Sequence, residues 1–163
     1  MLTMTEDDYF DSAAQGLRPY SDFEWYACDR SGNIAFLTSA GFAAVPLAVF
    51  RSRILYFTAR EFLSHLSVGG GHELREPGQR MPVVEDWVQM ARRGLFAYDW
   101  DHGTGQYEPD LPYRLVASPQ RPLTVSDVPS SVRQWLETVR FEVVDFPQAA
   151  ELFVEPAFAE VNL

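Results

Sequence analysis

The sequence predicts an α+β domain, with an antiparallel or mixed sheet built from hairpins and about three to four helices packed on it. Three observations carry this expectation. Short runs rich in aromatic and β-branched residues recur in pairs around turn residues, which is the mark of hairpins. Segments with apolar residues at helical spacing fall between those pairs, giving the order β-β, helices, β-β, helix, β-β. The regular β-α-β alternation and long apolar strands of a doubly wound parallel sheet are missing. At 163 residues, 47% hydrophobic and 14% aromatic, the chain has the material for one core, so residues 1–163 are read as a single domain.

Residues 1–22 open with Glu6, Asp7, Asp8 and Asp11 close together and are expected to be loosely ordered, forming at most one docked turn of helix. Residues 23–28 and 33–38 flank Asp29-Arg30-Ser31-Gly32, a hairpin signal in which Gly32 takes the positive-φ position. From 47 to 66 the pattern is helical. Thr58 and Glu61 read as a capping box with Phe57 and Phe62 as its staple, so two helices over 47–56 and 59–66, or one broken helix, are expected. Gly69-Gly70-Gly71 ends that region, and 68–81 reads as a flexible loop.

The next helix is marked by Pro82 at its start, Glu85 and Asp86 in its first turn, Arg92 and Arg93 in its last, and Gly94 as its stop. Strands at 95–100 and 113–117 enclose the acidic loop DHGTGQYEPDLP. A helix over 127–139, capped by Ser126 or Asp127, carries Val128, Val132, Trp135, Leu136 and Val139 as one apolar stripe. Strands at 140–146 and 152–155 are expected to close the sheet.

Charge excludes some partners. There are 23 acidic residues against 13 basic ones, every basic residue being Arg, for a formal net charge of −10. Such a surface disfavours nucleic acid, whose binding needs cationic side chains, and anionic membranes for the same reason. A basic protein would be steered toward it. The single cysteine, Cys28, rules out an intrachain disulfide. With no apolar window long enough for a membrane span and no signal-like N-terminus, a bacterial cytoplasmic location is expected.

No catalytic constellation emerges. His65, His72 and His102 show no metal-ligand spacing. Cys28 lies inside an aromatic strand, as a small buried hydrophobe does. Gly69-Gly70-Gly71-His72 lacks the lysine and glycine spacing of a phosphate loop and reads as a helix cap and loop. Ser39-Ala40-Gly41 reads as a turn, and the acid pairs Glu24/Asp29 and Glu85/Asp86 have no surroundings that would split their pKa values. The expectation is therefore a protein that is not an enzyme, with no cofactor and no metal.

The useful concentration of charge is the hairpin at 99–110. Asp99, Trp100, Asp101, His102, Tyr107, Glu108 and Asp110 combine aromatic groups with carboxylates, as a protein interface does. Leu95 to Trp100 is apolar on both faces apart from Asp99, so either one face is exposed for a partner or both are buried. Asp99 and Asp101 fall on one strand face, and with His102 they could instead hold a hard cation in a small metal-binding protein or enzyme. A third alternative is a subunit whose acidic face completes a homo-oligomer or larger assembly.

Two stretches carry a family resemblance. EWYACDRSGNIAFLTSAGFAAVP, with Trp25, Asp29, Gly32, Ile34 and Ala35 before a glycine turn and Pro46, resembles the opening of small uncharacterised bacterial proteins. RGLFAYDWD and PYRLVASPQRPL are similar to the later part of the same kind of protein. Some of these are thought to be immunity proteins of polymorphic-toxin systems. The resemblance implies a toxin domain as partner and assigns no catalytic residue.

Overall fold

In the computed structural model, which describes residues 3–154, the first hairpin forms as the turn residues dictate. Strands β1 (Glu24–Cys28) and β2 (Ile34–Thr38) pair antiparallel, with Trp25 opposite Leu37 and Tyr26 opposite Phe36. Gly32 sits at φ +88, a left-handed conformation that costs glycine little.

The chain before the hairpin corrects the expectation of a loose lead-in. Helix α1 (Glu6–Gln15) has ten residues, and Thr5 and Asp8 cap it reciprocally. Asp8 N–H donates to Thr5 Oγ1 at 3.1 Å, and Thr5 N–H donates to Asp8 Oδ2 at 3.0 Å. What docks it is Phe10, whose ring packs 5.3 Å from Phe50 and 5.4 Å from Tyr56.

Residues 47–66 form a short 3-10 turn (Leu47–Phe50) and a single helix, α2 (Arg53–Ser64). The break therefore falls at Arg51-Ser52, and the cap is Ser52, whose Oγ accepts from Leu55 N–H. Thr58 is mid-helix and donates its hydroxyl to Ile54 O at 2.7 Å, so the T-x-x-E pattern is not a cap here. Residues 68–81 hold more structure than the expected loop. Strand β3 (His72–Leu74) and the single-turn helix α3 (Glu76–Gln79) lie inside them. The three glycines lead into β3, while α2 ends at His65.

Helix α4 (Glu85–Arg92) keeps the expected charge pattern, with Glu85 and Asp86 in its first turn and Arg92 in its last. Strands β4 (Phe96–Asp99) and β5 (Tyr113–Pro119) pair antiparallel with Val116 as an extra residue on β5. Helix α5 (Ser130–Thr138) starts after Pro129, three residues later than expected, because Thr124 and Asp127 cap a separate 3-10 turn. Beyond it, 140–146 is not a strand. A bridge at Arg140 and a 3-10 turn (Phe146–Gln148) precede the short strand β6 (Glu151–Leu152). Glu155, the end of the expected last strand, lies outside the described residues.

The sheet is mixed, ordered β1-β2-β4-β5-β3, with β6 also on β5. Its one parallel strand pair is β2 with β4, joined by a crossover that contains α2 and α4. Alternation along the strands puts Trp25, Leu37 and Tyr98 in register on one face, and Tyr26, Phe36 and Ala97 on the other. Helices α2, α4 and α5 cover the second face. Tyr56 on α2 donates its hydroxyl to Glu24 O, Trp135 on α5 packs edge-on against Tyr56, and Cys28 Sγ approaches Leu136 O at 3.3 Å.

The first face is covered by residues 139–152, which run across it as a strap. They begin on the open edge of β1, where Cys28 N–H donates to Val139 O and Phe141 N–H donates to Cys28 O. Phe141 then stacks on Trp25, Phe146 packs against Phe96 and Tyr98, and Tyr98 Oη donates to Ala149 O at 2.7 Å. The strap ends at β5, where Leu115 N–H donates to Ala150 O. It covers an exposed sheet edge and a sheet face at once. The domain is α+β, as the sequence predicts.

Candidate acidic surface and cleft

The seven hairpin residues occupy two different environments. Asp99, only 8% exposed, accepts a hydrogen bond on Oδ1 from Thr38 Oγ1 at 2.8 Å. Thr38 in turn accepts from Trp87 Nε1 at 3.1 Å, which ties the end of β4 to α4. Trp100 is 3% exposed and donates its indole N–H to Leu111 O, so its ring belongs to the core. Of the two sequence readings of 95–100, the strand with both faces covered is the one observed.

His102 packs edge-on against Trp100 and donates from Nε2 to Pro112 O at 2.7 Å, which uses that ring nitrogen. Asp101 is exposed and accepts from Gly103 N–H. Tyr107 is half-buried beneath the Arg18 guanidinium, 3.8 Å from its ring centre. Glu108 accepts from Gln106, and Asp110 is exposed. Among the described residues no three His, Cys, Asp or Glu side chains are arranged to hold a metal ion.

The structure adds a residue that sequence reasoning did not single out. Asp22 accepts from Ala40 N–H at 2.8 Å beyond the end of β2, and its charge acts on those of Asp99 and Asp101. Desolvation raises the carboxyl pKa of both Asp22 and Asp99 above the ordinary value, and the neighbouring carboxylates add to the shift. The Thr38 hydroxyl opposes it at Asp99. Among the described residues, none of Asp22, Asp99, Asp101, Glu108 or Asp110 lies within ion-pair distance of an arginine. The nearby Arg114 guanidinium donates to the backbone oxygen of Asp101 at 2.7 Å, so these carboxylates stand without an ion pair of their own.

Beside them opens a cleft of about 580 Å³ between α2 and α4. Tyr26, Phe36 and Thr38 of the sheet form its floor, and Arg60, Asp86, Trp87 and Arg93 stand in its walls. Arg60 pairs with Glu24 and stacks 4.9 Å from the Tyr9 ring centre. Glu24 N–H donates to Tyr9 Oη, and burial pushes the Tyr9 phenol up to about 12. Arg93 is turned away, with Nε donating to Leu66 O at 2.9 Å. Among the described residues, the exposed Asp86 side chain has no hydrogen bond or ion pair. The Tyr26 hydroxyl is fully buried and, among the same residues, has no hydrogen-bond partner.

The remaining sequence candidates have structural roles. Cys28 is buried, and desolvation lifts its thiol to about 11, so it stays protonated at neutral pH. Ser39 is a buried turn residue whose Oγ accepts from Phe23 N–H at 3.0 Å. Asp29 is completely buried and accepts four hydrogen bonds, two of them from the turn backbone of Ser31 and Asn33. The spacing D-x-S-x-N is legible as an Asx-type turn, whereas its contact with Phe146 N–H is not. The cleft carried no sequence signal, since its residues come from five separate segments. The chain matches no protein-family model, no curated protein and no solved structure.

Proposed function

We propose that this chain is a non-catalytic binding protein that holds a basic protein partner through the acidic end of its sheet. The observation that supports this most is the group Asp22, Asp99 and Asp101, whose carboxylates act on one another and form no ion pair with an arginine among the described residues. A folded domain gains nothing from such a cluster, and an incoming cationic surface relieves it. Exposed Asp101 and Asp110 extend the field around the hairpin loop, while buried Trp100 and Asp99 hold that loop rather than touch the partner. The resemblance to immunity proteins of polymorphic-toxin systems fits this reading, with inhibition by covering a cleft on a toxin domain.

The test is co-expression with the product of the adjacent upstream reading frame, followed by association kinetics at increasing salt. The expected result is a complex whose association rate falls at least ~10-fold between low and high salt, because steering is screened beyond about 10 Å. The Asp101→Asn/Asp110→Asn double variant should slow association at low salt and leave dissociation little changed. A partner that binds at a salt-independent rate would overturn the reading.

A further inference from the structure

The α2–α4 cleft opens beside this acidic group, and two features of it bear on what it can bind. One is the Tyr26 hydroxyl, buried on the cleft floor without a partner. An unsatisfied buried hydroxyl lowers stability, so the fold would be better served by phenylalanine. The other is Asp86 in the wall, which complements the dipole in the first turn of α4 and forms no ion pair among the described residues. Four aromatic rings, those of Tyr9, Tyr26, Phe36 and Trp87, surround the space between them.

The charges there can be followed group by group. Glu24 and Arg60 neutralise each other. Arg93 is the other cation, held by Leu66 O and near Met90 Sδ. Against it stand Asp22 and Asp86 in the cleft, and Asp99 just behind Thr38. The carboxylates outnumber the uncompensated cations, and the open space lies beside aromatic faces. That combination suits a planar cation, which can bond carboxylates through its edge and stack through its face. The same packing already occurs within the chain, where Arg60 lies over Tyr9 and Arg18 over Tyr107.

We propose that the cleft between α2 and α4 receives an arginine side chain of the basic protein partner, with Asp86 and Asp22 taking the guanidinium N–H groups and the Tyr26 hydroxyl accepting one more. This rests on the reading above, to which it adds a point of anchorage. The Tyr26 oxygen is covered in the free protein, so side chains lining the cleft move aside as the guanidinium enters.

The experiment titrates the protein with N-acetyl-arginine amide and follows the four indole N–H signals by NMR. Trp25, Trp100 and Trp135 are buried, so the half-buried Trp87 reports on the cleft. The Trp87 signal should move, with the neutral N-acetyl-norleucine amide, an alkyl chain without the guanidinium, producing no shift. Tyr26→Phe and Asp86→Asn should each weaken binding about ten- to a hundredfold, the effect of one hydrogen bond to a charged group. Tyr26→Phe should also leave the melting temperature unchanged or raised, which separates a ligand role from a structural one. Equal binding to the wild-type and both variants, or shifts confined to 99–110, would overturn this proposal. N-acetyl-lysine amide binding as tightly as the arginine probe would overturn the guanidinium assignment. Failure of the anchor leaves salt-dependent association with the partner intact, whereas failure of the acidic-surface reading removes it.

Discussion

Replacing Asp29 with asparagine should lower stability by about 2–4 kcal/mol, although the two side chains have nearly the same shape. In the wild-type protein, Oδ1 accepts from Ser31 N–H at 3.0 Å and Asn33 N–H at 2.8 Å. Oδ2 accepts from Asn33 Nδ2 at 3.0 Å and Phe146 N–H at 2.8 Å. All four partners are donors, and asparagine offers one oxygen and one NH2 group. Whichever way the amide turns, two donors face an NH2. Each hydrogen bond to a charged acceptor is worth about 1.5–3 kcal/mol, and burying a neutral amide is easier than burying a carboxylate, so the net loss falls in the range stated.

A domain of this size loses about 2–4 °C in melting temperature per kcal/mol, so a drop of roughly 6–12 °C should follow for a loss near 3 kcal/mol. Urea unfolding should show a lower midpoint at unchanged slope. Hydrogen exchange at the Phe146 amide should accelerate more than at the strand amides, because that amide donates directly to Asp29 Oδ2. A variant within about 0.5 kcal/mol of the wild type would refute the claim that this carboxylate joins the two segments.

Three further outcomes follow from the same kind of reasoning. Thr38→Val removes the hydroxyl between Asp99 and Trp87, and should cost about 1–3 kcal/mol while shifting the Trp87 indole signal. Gly41→Ala should cost at least ~2 kcal/mol by urea unfolding, since φ is +79 and the new Cβ would lie 2.4 Å from Tyr20 O. Asp99→Asn should stabilise the protein at neutral pH. The native carboxyl binds its proton more tightly than the unfolded one, so its ionisation opposes folding as pH rises from the unfolded value through the raised native value. The gain should vanish below about pH 4, where both states are protonated. A gain that persists in acid would show that the shift is not its source.

The fold class, the first hairpin, the charge pattern of α4 and the β4–β5 pair were legible because each is a local pattern. Gly32, Glu85, Arg92 and Gly94 act on their own neighbours, so spacing alone reports them. The errors arose where a local pattern had two physical uses. Thr58 and Glu61 have capping-box spacing, yet Thr58 bonds backward to Ile54 because Ser52 already caps the helix. Residues 140–146 have strand composition, yet Phe141 and Phe146 are aromatic because they fill the face beneath Trp25 and Tyr98. The spacing of α4 likewise does not reveal that the Trp87 indole nitrogen serves Thr38 across the sheet end.

The acidic site divides along the same line. Asp101, Glu108 and Asp110 were visible as a run, whereas Asp22 joins them only through the pairing of β2 with β4. That pairing is parallel, so the chain must leave Thr38 and return to Phe96 by a crossover, and α2 and α4 are parts of it. Two helices laid on one sheet face meet only as closely as their side chains permit, and here Arg60, Trp87 and Arg93 hold them apart over Tyr26 and Phe36. The cleft is thus a consequence of the crossover. Its position beside Thr38 and Asp99 follows because both strands of the parallel pair end at the same level. The carboxylates at those strand ends and the aromatic floor between the helices therefore form one continuous surface, although no stretch of sequence contains both.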